Sequence, residues 1–409
     1  MVKIAPQIAI SCNCPVCSCL LTNKNELVWQ GVHVCVDGYC PACQENYLWT
    51  LPIGQTKLDS YQIRKSDGKL FGGEPHEWLV KPLQNIIESP ILAPIKFDVE
   101  SREPYHKEVI VLNTLDNCYG HSLLYFLNLQ NIINQRGERG VIVIIQPFLR
   151  WLLPAEGIAE IWTVGLSFNQ LKEYHSDLSV QINEQFKRFD DVQLSHAPLC
   201  PKDVEIVKFS KIAPYSFQNR PLKPRVTFVW REDANRFWFK SYWFYGGLRK
   251  LGLGTILLPF HYARTLLFLY LLKGRLKRHN YQLTLAGLGK FGWFPDFIDD
   301  QRVTNFNKET EVSSCQIYAE SELVVGVHGS SMILPSAHAA MTVSMMPPRR
   351  WGNFAEDLLY SEEDVRLAAF QKRVIPMKTT LSETIDIVAG MLTGRDYFIK
   401  KFIYDKTIL

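Results

Sequence analysis

Between Asp233 and Asp296 the chain has no aspartate or glutamate at all, although acidic residues fill 41 of its 409 positions. That gap excludes an evenly mixed surface. Arg236, Lys240, Arg249, Lys250, Arg264, Lys273, Arg275, Lys277, Arg278 and Lys290 all fall inside it. The result is a local basic field, suited to phosphates, acidic glycans or an anionic membrane surface. The formal charge of the whole chain, +4, is too small to imply nucleic acid by itself. No Asp-x-Asp triplet of the kind that holds a catalytic divalent cation occurs anywhere. The opening "MVKIAPQIAISCNCPVC" lacks the apolar run and small-residue cleavage site of a signal peptide. The most apolar stretch, Leu251 to His279, is interrupted by Pro259, His261 and Arg264, leaving runs short of the roughly 20 apolar residues a span needs. No internal repeat or low-complexity tract is present. The expectation is a folded, cytoplasmic protein that does not span a membrane.

Cysteine, by contrast, is concentrated. Seven of the ten cysteines lie in the first 43 residues, and Cys14, Cys17, Cys40 and Cys43 form C-x2-C-x22-C-x2-C. Each C-x2-C turn brings two thiolates to one ion, and two turns complete a tetrahedron, so a structural Zn2+ is expected there. Cys12, Cys19, Cys35 and His33 are alternative ligands. Only Lys24 is basic between Cys12 and Cys43, which argues against a nucleic-acid ribbon and for a structural cap or a protein-docking module. A module of about 50 residues with little core would need the metal to fold.

The remainder reads as two α/β halves. After Pro-rich connectors over residues 51–107, Val109 to Leu112 is a buried strand, and His121 to Asn134 is a helix closed by Gly137. "GVIVIIQP" and "IAEIWTV" are further strands. "PLKPRVTFVWRED" starts afresh with the strand Val226 to Trp230. "YQLTLAGLG", "QRVTNF", "LVVGVHG" and "MTVSMMP" follow as strands, "VSSCQIYAESE" and "SETIDIVAGMLTG" as helices. Strands alternating with helices predict parallel sheets. The expected organisation is a zinc ribbon over 1–50, one Rossmann-like domain over 51–219 and a second over 220–409, with a ligand cleft at the strands' carboxyl ends.

Four clusters lie at those strand ends. In "VVGVHGSSM", His328 and Gly329 end a strand and Ser330 or Ser331 caps the following helix, so the exposed amides suit a diphosphate. An ordinary strand–helix turn would look the same. Arg231 leaves the first strand of the same half, where it grips phosphate oxygens or merely pairs with Glu232 or Asp233. Asp116, Asn117 and His121 follow the first strand of the other half, where an imidazole is placed to take a proton from an acceptor hydroxyl or to bond local backbone. After the last main strand, Arg349 or Arg350 reaches for phosphate and Glu356 for ribose hydroxyls, against a plain solvated face.

In this order, "DNCYGHSLLYFLNL", "RVTFVWRED" and "YAESELVVGVHGSSMILPSAHAAMTVSMMPP", then "WGNFAEDLLY", resemble inverting GT-B-fold glycosyltransferases. They are most similar to the family of plant β-xylosyltransferases and extracellular O-linked N-acetylglucosaminyltransferases. The resemblance spans about residues 108–362, and the His-Gly turn is its most specific part. It implies a GT-B pair of Rossmann-like domains, a nucleotide-sugar donor at Arg231, His328, Gly329, Ser330 and Ser331, and a glycan, polysaccharide or lipid-linked acceptor near His121. Catalysis would be metal-independent, with His121 or Asp116 as base. The cysteine ribbon, the Ser330-Ser331 pair in place of Ala-Gly, and the basic-aromatic insert Phe237 to Asn280 depart from the pattern. That insert suits either a core helix or a helix lying in a membrane interface. Rival readings are pyruvyl or other group transfer onto polysaccharide, and a nucleotide-binding adaptor without catalysis.

Overall fold

Short apolar strands separated by helices, and a cysteine-rich antiparallel segment before them, account for both halves of the chain. The computed structural model describes residues 1–74, 76–232, 237–238, 247–248, 250–354, 359 and 365–402, without the side chains of 365 and 402. It divides into two compact units, Met1–Val204 and Glu205–Leu409.

In the first unit β1 (Val2–Ala5) is followed by β2 (Thr22–Gln30), β3 (His33–Cys40), β4 (Glu45–Thr50), β5 (Gln62–Arg64) and β6 (Leu70–Phe71). Strands β2 to β6 form an antiparallel meander in chain order. Next come β7 (Phe97–Ser101), β8 (Glu108–Asn113), β9 (Gly140–Ile145), β10 (Glu160–Val164) and β11 (Asp191–Leu194). With β1 they build a six-stranded sheet ordered β1-β11-β8-β9-β10-β7. Its four central strands run parallel, and β1 and β7 close the edges antiparallel. All six residues of β9 are buried, as a strand covered on both faces requires.

The cysteine segment is more than a cap over 1–50. Its meander continues to Phe71, and β1 is lent to the α/β sheet. Trp29, Val34, Tyr47 and Trp49 share one core with Val109, Ile142 and Trp162 of that sheet. The Trp29 amide donates to Ser179 Oγ at 2.9 Å, and its ring lies 5.8 Å from that of Phe186, both on the helix Ser176–Phe186. Apolar burial against the sheet therefore supplies the core that the segment was expected to lack.

In the second unit β12 (Arg225–Arg231), β13 (Gln282–Leu288), β14 (Ile298–Val303), β15 (Ser321–Val327), β16 (Met341–Met346) and β17 (Lys372–Pro376) form an all-parallel sheet ordered β14-β13-β12-β15-β16-β17. Counted within the unit, that is 3-2-1-4-5-6, the order of a doubly wound dinucleotide-binding sheet. The chain reverses its winding between β12 and β15.

Residues 205–224 belong to this unit because buried polar groups hold them there. Ser210, closing the helix Ile206–Ser210, places Oγ 2.9 Å from His338 Nε2. The Tyr215 amide donates to the His338 carbonyl at 2.8 Å. Arg220 grips the buried Glu322 carboxylate with two nitrogens, at 2.9 and 3.1 Å. His338 is fully buried and donates from Nδ1 to the Leu334 carbonyl at 2.8 Å. Burial depresses its pKa to about 4.

A neutral buried histidine that must charge on unfolding gives full stability above pH ~6.5 and loses it as pH falls toward about 4. Chemical denaturation should therefore show His338→Asn losing about 2 kcal/mol less than the native chain between pH ~6.5 and pH ~5. Equal acid sensitivity of the two chains would contradict this account of the 205–224 strap.

Candidate functional site

The second unit's candidate site is built at its winding reversal. Val229 of β12 and Gly326 of β15 are the last paired residues, and the chain leaves both strands at the carboxyl edge within two residues. Gly326 is there for packing, since a Cβ on it would stand 2.4 Å from Met332 Sδ. That lets the following turn fold back over the strand. His328 is fully buried; its amide donates to Met345 O at 3.0 Å and its Nε2 donates to Asn353 O at 3.2 Å. The imidazole thereby ties the end of β15 to the turn Pro348–Asn353 after β16. Gly329 follows at φ 140°, a conformation that favours glycine.

The turn after Gly329 differs from the expectation in two ways. Gly329 itself occupies the N-cap and neither serine side chain caps it. The helix beyond the turn Ser330–Met332 is only Ile333–His338, too short for a strong dipole. What the corner offers an anion is the half-buried hydroxyls of Ser330 and Ser331, the turn amides, and Arg231. Arg231 ends β12 half-buried, its guanidinium 5.7 Å from the Phe306 ring centroid. Glu232 is engaged elsewhere: its Oε1 accepts from Trp230 Nε1 at 3.1 Å and from the Phe291 amide at 2.6 Å. Arg349 and Arg350 are exposed on the turn Pro348–Asn353, and Glu356 lies outside the described residues.

In the first unit the carboxyl end of β8 leads through Asp116 to the helix Tyr119–Leu127, which carries His121. Asp116 is fully buried. Its Oδ1 accepts from the Cys118 amide at 2.8 Å and stands 3.4 Å from His121 Nδ1, a long contact by hydrogen-bond standards. The His121 side chain is 20% exposed. Of the two expected bases, only the imidazole can reach a ligand, and the carboxylate can orient its ring. Nearby, Tyr119, Phe148 and Phe168 gather after β8, β9 and β10, with ring centroids 4.7 to 6.4 Å apart. All three are half-buried. This aromatic surface was not foreseen, because the segments after three different strands supply it.

The third feature is the cysteine cluster. The sulfurs of Cys14, Cys17, Cys40 and Cys43 all lie within 4.8 Å of one another, and none forms a disulfide. Cys14 and Cys43 sulfurs are 3.8 Å apart, Cys17 and Cys40 sulfurs 3.4 Å. Zn–S bonds of about 2.3 Å at tetrahedral angles put sulfurs about 3.8 Å apart, so the donor set fits a structural metal. The two knuckles repeat one geometry. Ser18 and Gln44, at φ 61° and 55°, each donate an amide 2.9 Å to the carbonyl of the first cysteine of their pair. Burial pushes the Cys14 thiol up, but the Cys17 and Val16 amides and the Tyr47 hydroxyl outweigh it and bring it down to about 6. Cys43 is held well above the ordinary thiol range, chiefly by its hydrogen bond with Cys17 and then by burial. Among the described residues, the expected substitutes His33 and Cys35 point elsewhere: both are fully buried, and His33 Nε2 donates to the Leu79 carbonyl.

No protein-family model and no curated protein matches the chain. Among solved structures it is similar to E. coli ADP-heptose LPS heptosyltransferase II, at 11% identity and TM-score 0.39, covering 71% of this chain and 99% of that one. TarM matches at 11% identity and TM-score 0.24, covering 90% of this chain and 66% of its own. The GtfA/B complex matches at 11% and 0.24, covering 92% and 75%. At such scores the likeness fixes neither fold nor activity.

Elemental analysis of the purified chain should find about one metal ion per molecule, lost on Cys40→Ser. Stripping it with a strong chelator should lower Tm. A metal-free chain with four reduced thiols and an unchanged Tm would remove the metal from the account.

Proposed function

We propose that the protein is a glycosyltransferase that moves a sugar from a nucleoside-diphosphate donor to a hydroxyl of a glycan, polysaccharide or lipid-linked acceptor. The observation that carries the reading is the 3-2-1-4-5-6 sheet of the second unit, which puts Arg231 and the His328–Gly329 turn at one winding reversal. Doubly wound sheets bind nucleotides in the crevice at that point. The sequence resemblance supplies the sugar, and it places the donor at the same residues.

In this reading the diphosphate lies against Arg231 and the amides and hydroxyls of Gly329, Ser330 and Ser331, with Arg350 and Glu356 at its periphery. His328 is buried and shapes the turn. The acceptor oxygen attacks the anomeric carbon as the bond from that carbon to the diphosphate oxygen breaks. The configuration inverts, and Nε2 of His121 takes the acceptor proton. Asp116, buried beside Nδ1, holds the ring in the tautomer with its proton on Nδ1, so that Nε2 is the accepting nitrogen. Negative charge builds on the departing diphosphate, where Arg231 and the turn amides stabilise it without a catalytic metal. The faces of Tyr119, Phe148 and Phe168 suit the C–H face of an acceptor ring. The cysteine cluster holds zinc in a structural role, since four thiols leave no open position for substrate.

Two variants divide the roles. Arg231→Ala should weaken UDP or GDP binding about tenfold to a hundredfold by calorimetry, the worth of a charged hydrogen-bonding pair. Undiminished affinity for both nucleotides would remove Arg231 from the donor site. His121→Gln should leave nucleotide affinity intact and lower turnover about 10²- to 10⁴-fold. A variant that turns over at the native rate would dismiss the imidazole as base.

A further inference from the structure

The helix Leu258–Arg275, entered through the turn Gly254–Leu257, is apolar on two opposite faces. His261, Thr265, Phe268, Leu269 and Leu272 are each at most 1% exposed. Phe268, Leu269 and Leu272 pack with Phe228 of β12 and Leu283 of β13. A helix placed this way ordinarily turns charge to the solvent. Here the outer face carries Phe260, Ala263, Leu267, Tyr270, Leu271 and Gly274, all exposed. At 100° per residue these six fall in one stripe about 100° wide. Phe260 is 61% exposed, Leu267 47%, Tyr270 63% and Leu271 43%. The stripe continues into the preceding turn with Ile256 at 55% and Leu253 at 44%.

The exposed charges are gathered at one end and have one sign, Arg264 being half-buried against Trp238 and the Thr379 carbonyl. Lys273 and Arg275 occupy the last turn, and Lys277 and Arg278 follow it, exposed. Lys273 Nζ lies 3.9 Å from the Phe297 ring centroid, and Arg275 pairs with Asp386 at 3.1 Å. Within the segment from 234 to 295 itself there is no carboxylate to offset any of them. An exposed aliphatic and aromatic stripe ending in four cations, of which Arg275 is paired with Asp386, matches an anionic bilayer, whose acyl region takes the stripe and whose phosphates take the cations. A nucleic acid would meet the cations but leave the leucines in water.

The segment Gly254–Arg275 has 22 residues, and its most apolar 18-residue window reaches a mean hydropathy of 1.4, long and apolar enough to cross a membrane by length and composition. That is more than the interrupted sequence suggested. Crossing would require pulling the inner face out of the second unit's core, where a third of the window is buried. Lying in the headgroup plane keeps that core and covers the stripe. We propose that the outer face of Leu258–Arg275 is a docking surface for an anionic lipid bilayer, occupied parallel to the membrane. The proposal stands independently of the sugar-transfer reading.

The test is co-sedimentation of the full chain with vesicles of phosphatidylcholine, with and without phosphatidylglycerol. The chain should bind the anionic vesicles, bind the neutral ones weakly, and release in about 1 M salt, where screening reaches about 3 Å. Leu267→Glu with Leu271→Glu should weaken binding at least about tenfold at unchanged Tm, since both side chains are exposed. Lys277→Glu with Arg278→Glu, beyond the helix, should weaken it as well and covers the case in which the first variant misfolds. Four results would overturn the proposal. They are no vesicle binding, binding indifferent to both variants, vesicle-bound chain that resists alkaline carbonate as a spanning helix does, and a dimer without lipid affinity that Leu267→Glu disperses.

Discussion

The position of β12 between two parallel neighbours constrains everything proposed for the second unit. Seven residue pairs tie it to β13 on one side and five to β15 on the other. In sheets of this order the ligand crevice lies at the carboxyl ends of two such neighbouring strands, where the proposed donor site falls. The amino edge of the same strands is treated differently. Arg225 at the start of β12 pairs with Asp299 and with Glu320, and Arg220 with the buried Glu322. Burial raises the Glu322 pKa while the Arg220 guanidinium opposes that rise, so the carboxylate depends on its partner. Charge at the amino edge holds the fold; at the carboxyl edge Arg231 ends β12 beside Phe306.

The first unit repeats the same division on a smaller parallel sheet. Strands β8, β9 and β10 deliver Asp116, His121 and the three aromatic rings to one edge. Below that edge a polar network is completed internally: Thr114 Oγ1 donates to Ile144 O at 2.9 Å, and Gln146 Nε2 donates to Leu166 O at 2.8 Å. Such satisfied buried groups fix loop positions to within small tolerances, which the proposed proton transfer by His121 would require. The cysteine cluster joins the segment before β2 to the β3–β4 turn of a meander that is already anchored by apolar burial. A metal there adds local order to two knuckles more than it creates a core.

Much of the framework was legible in the sequence because local signals carried it. Continuous apolar runs marked β8, β9, β12, β15 and β16, and the repeated C-x2-C spacing marked the cluster that the fold brings together. That Asp116 and His121 follow the same strand was legible too, but their 3.4 Å contact was not foreseen. What stayed hidden depends on distant pairing. β1 finds its partner β11 nearly the whole unit away, and the aromatic group needs the strand order to bring Phe148 and Phe168 to Tyr119. The serines after Gly329 read as helix caps, but the glycine takes that position and the helix is short. For Leu258–Arg275 the sequence shows apolar residues all round, and only packing tells the inner stripe from the outer.

The central claim is that a nucleoside diphosphate occupies the corner between the ends of β12 and β15. Hydrogen–deuterium exchange of the whole chain, with and without saturating UDP or GDP, tests it most directly. The account predicts nucleotide-dependent protection of the amides from Val229 to Arg231 and from His328 to Met332. Protection confined to other segments, or none with either nucleotide, would contradict it.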